Sequence, residues 1–316
     1  MKTILFIGLP YQDYTKEIII ELGHLGYQVK FYPIKLRSFV CKFIQSVSLK
    51  LFKAINNQYH KLIIEKEKDN NYDIVLFLQI HDFSIENFER IRAHHNESRF
   101  ILYNWDSVNI HDYRLFIKYF HSVYTFDPED ARQLHINYLP LFCISAFQHL
   151  EKKNHQNISV YFIGNLVNIN RYIAIKAFID YCKKEGIKFN YYLKCSPLVL
   201  TRLLMRGFFP SGIKFFNISK ERFIFLIENA TSVFDFPNHE QKGYTMRFME
   251  NLCAGKKIIT NNTRVLAESF YSDDRIFLFE DLNFSKAGDF LNKELCNPEE
   301  TFPEFHINSF LKKLLA

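Results

Sequence analysis

Glycine is scarce in this chain. Ten of 316 residues are glycine, about 3% against a usual level of roughly 7%. A dinucleotide loop of the G-x-G-x-x-G type needs three close glycines, and none follows the first strand, which disfavours a Rossmann oxidoreductase or epimerase built on that loop. The six cysteines occur singly and form no C-x-x-C pair, so zinc sites and redox motifs are not expected. Scattered free thiols suit a reducing cytoplasm. No G-x-S-x-G, no P-loop and no D-x-D triplet occurs, and the histidines show no metal-ligand spacing. No run of about 18 apolar residues exists, and the N-terminal apolar run is too short for a signal peptide. The reading is a soluble or peripheral protein. From Lys35 to Lys53 acidic residues are missing altogether.

Apolar material is abundant, with 48% hydrophobic residues, 34 Phe and 18 Tyr. That excludes a disordered chain, and the length fits about two domains. A net charge of +6 is modest and does not by itself indicate nucleic acid. Continuous apolar runs such as Thr3–Ile7 and Asp73–Leu78 read as buried parallel strands. They alternate with helical patterns such as Tyr14–Leu25, Glu86–His94 and Arg171–Glu185. A polar break over 152–157 separates two such blocks. This predicts two Rossmann-like, doubly wound α/β domains facing a cleft. The first would span residues 1–150 and the second 151–294, with a C-terminal helix in 295–316 that packs back on the first.

The segment from Val233 to Asn262 is the richest in chemistry. A strand ends at Asp235, a polar loop follows, and a helix starts after Gly243. A helix start offers unpaired N–H groups and a positive dipole end, where phosphates bind. Gly243 would admit a close backbone approach, and Thr245 would cap the helix or donate to phosphate. Arg247 and Glu250 share one helical face, suited to a phosphate and to ribose hydroxyls. The same pattern also fits an ordinary capped helix with solvated charges.

The order Gln241, Gly243, Thr245, Arg247, Glu250, then Gly255, Lys257, Ile258, Ile259, Thr260 and Asn262, resembles the donor-binding half of GT-B glycosyltransferases. It is most similar to bacterial lipopolysaccharide, O-antigen and capsule transferases. The resemblance implies a sugar moved from a nucleotide-diphosphate co-substrate to a glycan or lipid-linked glycan, without metal or other cofactor. It implies donor contacts from Gln241, Gly243, Tyr244, Thr245, Arg247 and Glu250. The Gly164-Asn165 turn with Arg171 resembles the family's phosphate-facing turn, and Lys194 is a second cation at a strand end. Many retaining members carry a second Glu where Lys242 stands, so the stereochemical outcome stays open.

On the acceptor side, Tyr103-Asn104-Trp105-Asp106 follows a first-domain strand. Sugars stack on aromatic faces and bond carboxylates, so Tyr103 and Trp105 suit an acceptor and Asp106 a general base. Asp106 capping the next helix, and Asp127 capping the one after it, are the structural alternatives. Gly8, after the first strand, would face the acceptor or form a plain turn.

From Lys35 to Ala54, Phe39, Phe43, Val47, Leu51 and Ala54 recur at helical spacing among Lys42, Lys50 and Lys53. Such a helix lies on an anionic bilayer or packs on the sheet. The first option places the protein in the cytoplasm, peripheral on the inner face of the membrane. A glycosyltransferase is the leading expectation, and a non-catalytic sugar- or nucleotide-binding protein of the same fold is the alternative.

Overall fold

The computed structural model describes residues 1–36, 38–148, 150, 158–236, 242–298 and 300–316. They divide into two compact units.

The first unit holds Met1–Ile144, the described residues Lys242 and Gly243, and Ile307–Ala316. Its strands are β1 (Lys2–Gly8), β2 (Tyr27–Pro33), β3 (Ile74–Leu78), β4 (Arg99–Asn104), β5 (Ser122–Thr125) and β6 (Asn137–Tyr138). They form a parallel sheet in the order β2-β1-β3-β4-β5-β6. β1 and β3 are buried on both faces, which is why they read as unbroken apolar runs. Leu5, Val75, Phe77, Phe88, Phe100 and Leu102 centre the core on one face. The helices are α1 (Gln12–His24), α2 (Phe39–Val47), α3 (Leu49–Glu67), α4 (Ile85–His94) and α5 (Pro128–Leu134).

The single helical pattern expected after Lys35 is two helices. Ser48 takes an extended conformation between them, and its hydroxyl accepts from Leu51 N to cap α3. The buried side of α3 carries Phe52, Asn56, His60, Ile63 and Ile64. Val40, Phe43, Val47 and Leu51 instead stand exposed, at 62%, 63%, 71% and 53%. The side chains of Phe39 and Lys42 lie outside the described set.

The second unit holds the described residues of 145–236 and 244–306. Its strands are β7 (Ser159–Leu166), β8 (Lys188–Cys195), β9 (Ile213–Lys214), β10 (Ser232–Asp235), β11 (Lys257–Thr260) and β12 (Ile276–Leu278). They form a second parallel sheet, in the order β12-β11-β10-β7-β8-β9. Its helices are α6 (Ser145–Gln148), α7 (Ile169–Lys184), α8 (Pro197–Met205), α9 (Lys220–Glu228), α10 (Met246–Cys253) and α11 (Ala287–Asn292). Phe162, Phe178, Phe234, Phe279 and Phe284 dominate its core, and the rings of Phe178 and Phe234 stack at 4.2 Å. The last helix, α12 (Ile307–Leu315), belongs to the first unit. There Phe310 meets the Tyr103 ring edge-on at 4.9 Å, and Arg99 Nη1 donates to Leu315 O at 2.8 Å.

Each sheet has a switch point where strand order reverses, between β1 and β3 in one and between β7 and β10 in the other. Ligands of open α/β sheets sit outside the carboxyl ends of the strands at such points. No helix among the described residues is long and apolar enough to cross a membrane.

Candidate functional site

The switch point of the second unit is built around two arginines. The ladder between β7 and β10 stops after Ser232–Val160 and Val233–Tyr161. Beyond it the strands are joined by a side chain. Arg247, on the first turn of α10, donates to Ile163 O of β7 and through Nε to Asp235 Oδ1 of β10 at 3.1 Å. Its guanidinium also lies 4.4 Å above the Phe162 ring. Thr245 donates to the same Asp235 oxygen at 2.7 Å and accepts from Phe248 N as the helix cap. Thr245 is therefore a cap, and its proton is already committed.

Gly164 lies inside β7 instead of closing it. A Cβ there would meet the Phe162 ring at 2.9 Å and Arg247 Nη1 at 3.1 Å, so the missing side chain leaves room for the arginine. Arg171, on α7, donates to Asn165 O at 3.0 Å and Phe236 O at 2.7 Å. Its Nε is buried without a partner. Burial, and then the neighbouring Arg247, bring the Arg171 pKa down to about 10. Of the two guanidinium groups, Arg247 pairs with Asp235, which is 1% exposed, and Arg171 bonds carbonyl oxygens. An anion beside them would relieve their repulsion.

Glu250 sits one turn along α10 from Arg247. It is 3% exposed, its Oε1 has no hydrogen-bond partner, and burial holds its carboxyl well above the ordinary range. A buried orphan of this kind calls for an explanation, and an absent hydroxyl-bearing ligand is one. The same unit carries a cavity of about 470 Å³ lined by Phe236, Phe279, Asn261, Thr263, Glu280 and Asp281. Asp281 and its neighbour Leu282 hold φ values of 47° and 55°, the left-handed region that ordinary residues avoid. The volume suits a small-molecule site. The sequence reading did not find these residues, since only Asn262 beside them belonged to a motif.

Other expected donor residues are placed differently. Tyr244 is 3% exposed, stacks on Phe248 at 4.7 Å and donates to Glu268 Oε1 at 2.8 Å, so it is a packing residue. Lys194 Nζ donates to Asn217 Oδ1 at 2.6 Å at the end of β8. Asn165 is exposed, and its carbonyl serves Arg171. Gln241 lies outside the described residues. Gly243 belongs to the first unit, where a Cβ would come 2.5 Å from Phe126 O. That contact explains the glycine without a ligand. Lys257, from the strand that completes the motif, donates to the carbonyls of Phe290, Leu291 and Lys293 and so closes the end of α11.

In the first unit, Tyr103 is fully buried and donates to Leu139 O at 3.0 Å. It belongs to the core and not to an acceptor surface. The Trp105 ring is flanked by Tyr11, Tyr14 and Phe142, and its Nε1 is buried without a partner. At Gly8 a Cβ would lie 2.8 Å from Leu78 Cβ, so glycine permits the close approach of β1 to β3.

Asp106 is not the N-cap of a helix among the described residues. Its Oδ2 accepts from Gln79 Nε2 and lies 3.8 Å from His111 Nε2. Asp127 does cap α5, accepting from Glu129 N, and also accepts from Lys242 N at 2.8 Å. The His81 and His111 rings, brought together by the loops after β3 and β4, stack 3.5 Å apart and 4° from parallel. His81 in turn faces Asp82, which pairs with Lys35 at 3.1 Å. The sequence reading missed this group, because thirty positions separate the two histidines.

No protein-family model matches this chain, and no curated protein matches its sequence. Solved structures do match its fold. An alpha-glucosyltransferase in complex with UDP and a 13-mer DNA containing an A:G mismatch superposes with a TM-score of 0.68 at 10% identity, covering 100% of both chains. MnaA from S. aureus bound to UDP gives 0.61 at 10% identity, covering 100% of this chain and 95% of that one. UDP-GlcNAc 2-epimerase from Neisseria meningitidis bound to UDP-GlcNAc gives 0.55 at 13% identity, covering 100% and 98%. The fold is therefore the two-domain, Rossmann-like GT-B fold, as expected from the sequence.

Proposed function

We propose that this chain is a glycosyltransferase that takes a sugar from a nucleoside-diphosphate sugar. The observation that carries the reading is the Arg171–Arg247 pair at the β7–β10 switch point, two half-buried cations beside one buried carboxylate. A diphosphate supplies the charge this pair lacks, and the arginines would stabilise the diphosphate as it leaves, without a metal. Glu250 would hold ribose hydroxyls, and the neighbouring 470 Å³ cavity between Phe236 and Phe279 would take the base. UDP is the nucleotide to test first, since it is bound in several structures of this fold.

The acceptor would be a growing surface glycan of the lipopolysaccharide, O-antigen or capsule type, bound at the carboxyl ends of β3 and β4. Its hydroxyl would lose a proton to the group around Asp106. The exposed apolar residues of α2 and the start of α3, with Lys50 and Lys53 beside them, suit docking on the inner face of the cytoplasmic membrane. A DNA acceptor is not proposed, because the basic excess is small.

Epimerases with this fold motivate a second reading, in which the nucleotide sugar is rearranged without transfer. Incubation with UDP-glucose and UDP-GlcNAc separates the outcomes. Release of free UDP with sugar passed to water or glycan supports transfer. An epimerised nucleotide sugar supports the second reading, and bound but unchanged nucleotide indicates a binding protein. Glu250→Ala should abolish nucleotide binding, and undiminished binding in that variant would remove the donor assignment.

A further inference from the structure

We infer that His111 is the proton acceptor of the first unit, positioned between Asp106 and the stacked His81 ring, and that the site takes a neutral polyhydroxylated ligand. The inference rests on the transferase reading and adds which side chain receives the acceptor's proton.

The geometry comes from the sheet. β3 and β4 are parallel neighbours, so the loops after Leu78 and Asn104 leave the same edge side by side. One loop begins at Gln79, with φ at 65° and its N–H bonded to Tyr103 O. That left-handed turn is costly for a non-glycine residue, and such costs concentrate at functional sites. It sends His81 and Asp82 out beside the second loop. There His111 N is fixed to Ser107 O at 3.0 Å.

The charged groups of this cluster are Lys35, His81, Asp82, Asp106 and His111. Asp82 binds both Lys35 and His81, and although burial opposes it, those two partners keep its carboxyl ionised far below the ordinary value. Two protons on rings 3.5 Å apart are disfavoured by repulsion. Burial, and then the His81 charge, lower the pKa of His111, while Asp106 and Asp82 act against them. His111 is thus neutral near pH 7, as a base must be.

The ring atoms are disposed for the task. Nε2 of His111 faces Asp106, which favours the tautomer with its hydrogen there. Nδ1 makes no hydrogen bond among the described residues, and the side chain is 39% exposed, against 14% for His81. His111 is thus the more accessible ring of the pair. At the ends of β3 and β4, Gln79 Oε1, His81 Nδ1, Asn104 Nδ2 and Trp105 Nε1 are all buried without partners. The Asn104 and Trp105 N–H groups and the Gln79 carbonyl are what a hydroxyl-rich, uncharged ligand satisfies.

The step then balances. The ligand hydroxyl gives its proton to His111 Nδ1 as its oxygen bonds the anomeric carbon. The bond from that carbon to the diphosphate breaks, and its electron pair leaves with the nucleotide.

Two measurements test this. The first is a pH titration of the imidazole resonances in the unliganded protein, assigned with His81→Asn and His111→Asn. His111 should titrate below the ordinary imidazole value. It should rise in His81→Asn and fall further in Asp106→Asn. A His111 that titrates above the ordinary imidazole value overturns the proposal without reference to any substrate. The second is turnover of UDP-glucose and UDP-GlcNAc with water or glycan as acceptor. His111→Asn should lower kcat by about 10²–10⁴-fold with little change in donor KM. Asp106→Asn should lower it less and move the acid limb of the pH profile to lower pH. Full activity in His111→Asn with a large loss in Asp106→Asn returns the base role to Asp106 and leaves the transferase reading standing. Failure of UDP, GDP, CMP and dTDP alike to bind sinks the transferase reading, while the titration still decides the histidine pair.

Discussion

Glu250→Gln separates the energetic from the functional role of the buried carboxyl. Glu250 is 3% exposed, its Oε1 is unpaired, and burial raises its pKa well above 4.5. The folded protein therefore keeps a proton that the unfolded chain releases above about pH 4.3. Between the two pKa values the folded state binds more protons, so its stability falls as pH rises. Each unit of separation is worth about 1.4 kcal/mol. Glutamine has nearly the same shape and cannot ionise, so the variant loses this slope. Thermal melts of both proteins from pH 4 to 8 should coincide at the acid end. At pH 7 the variant should melt higher, by about 2–4 °C for every kcal/mol in domains of this size. If the wild type melts higher at pH 7, the carboxylate is charged and has a partner, and the desolvation argument is wrong.

Asp235→Ala removes the buried carboxylate that pairs with Arg247 and should cost about 3–5 kcal/mol in urea denaturation. A loss below about 1 kcal/mol would mean that Arg247 does not depend on the pair. Replacing Lys50 and Lys53 by Ser should weaken sedimentation with vesicles of 30% phosphatidylglycerol about 30-fold, from about 1 kcal/mol per charge. Unchanged binding would remove the membrane reading.

The alternation of strands and helices was legible because parallel strands buried on both faces must be apolar throughout, as Ile74–Leu78 is. The switch-point arginine was legible too, through its place one turn before Glu250 and just after a capped helix start. What Arg247 does there was not. Its bond to Ile163 depends on where the β7–β10 ladder ends, which no spacing within residues 233–262 encodes. Tyr103 and Tyr244 looked like ligand contacts by their neighbours in sequence, yet their hydroxyls bond Leu139 and Glu268. The break at Ser48 was hidden because apolar spacing continued across it. The histidine pair was hidden for a topological reason: only the adjacency of β3 and β4 brings residues 81 and 111 together.

The central claim is that the second unit binds a nucleoside diphosphate through its paired arginines and Glu250. The most direct measurement is the melting temperature of the wild type titrated with UDP, GDP, CMP and dTDP. One diphosphate, UDP first, should raise it in a saturable way, reaching about 2.7 kcal/mol of stabilisation at a hundredfold excess over Kd. No shift with any of them at millimolar concentration would contradict the account.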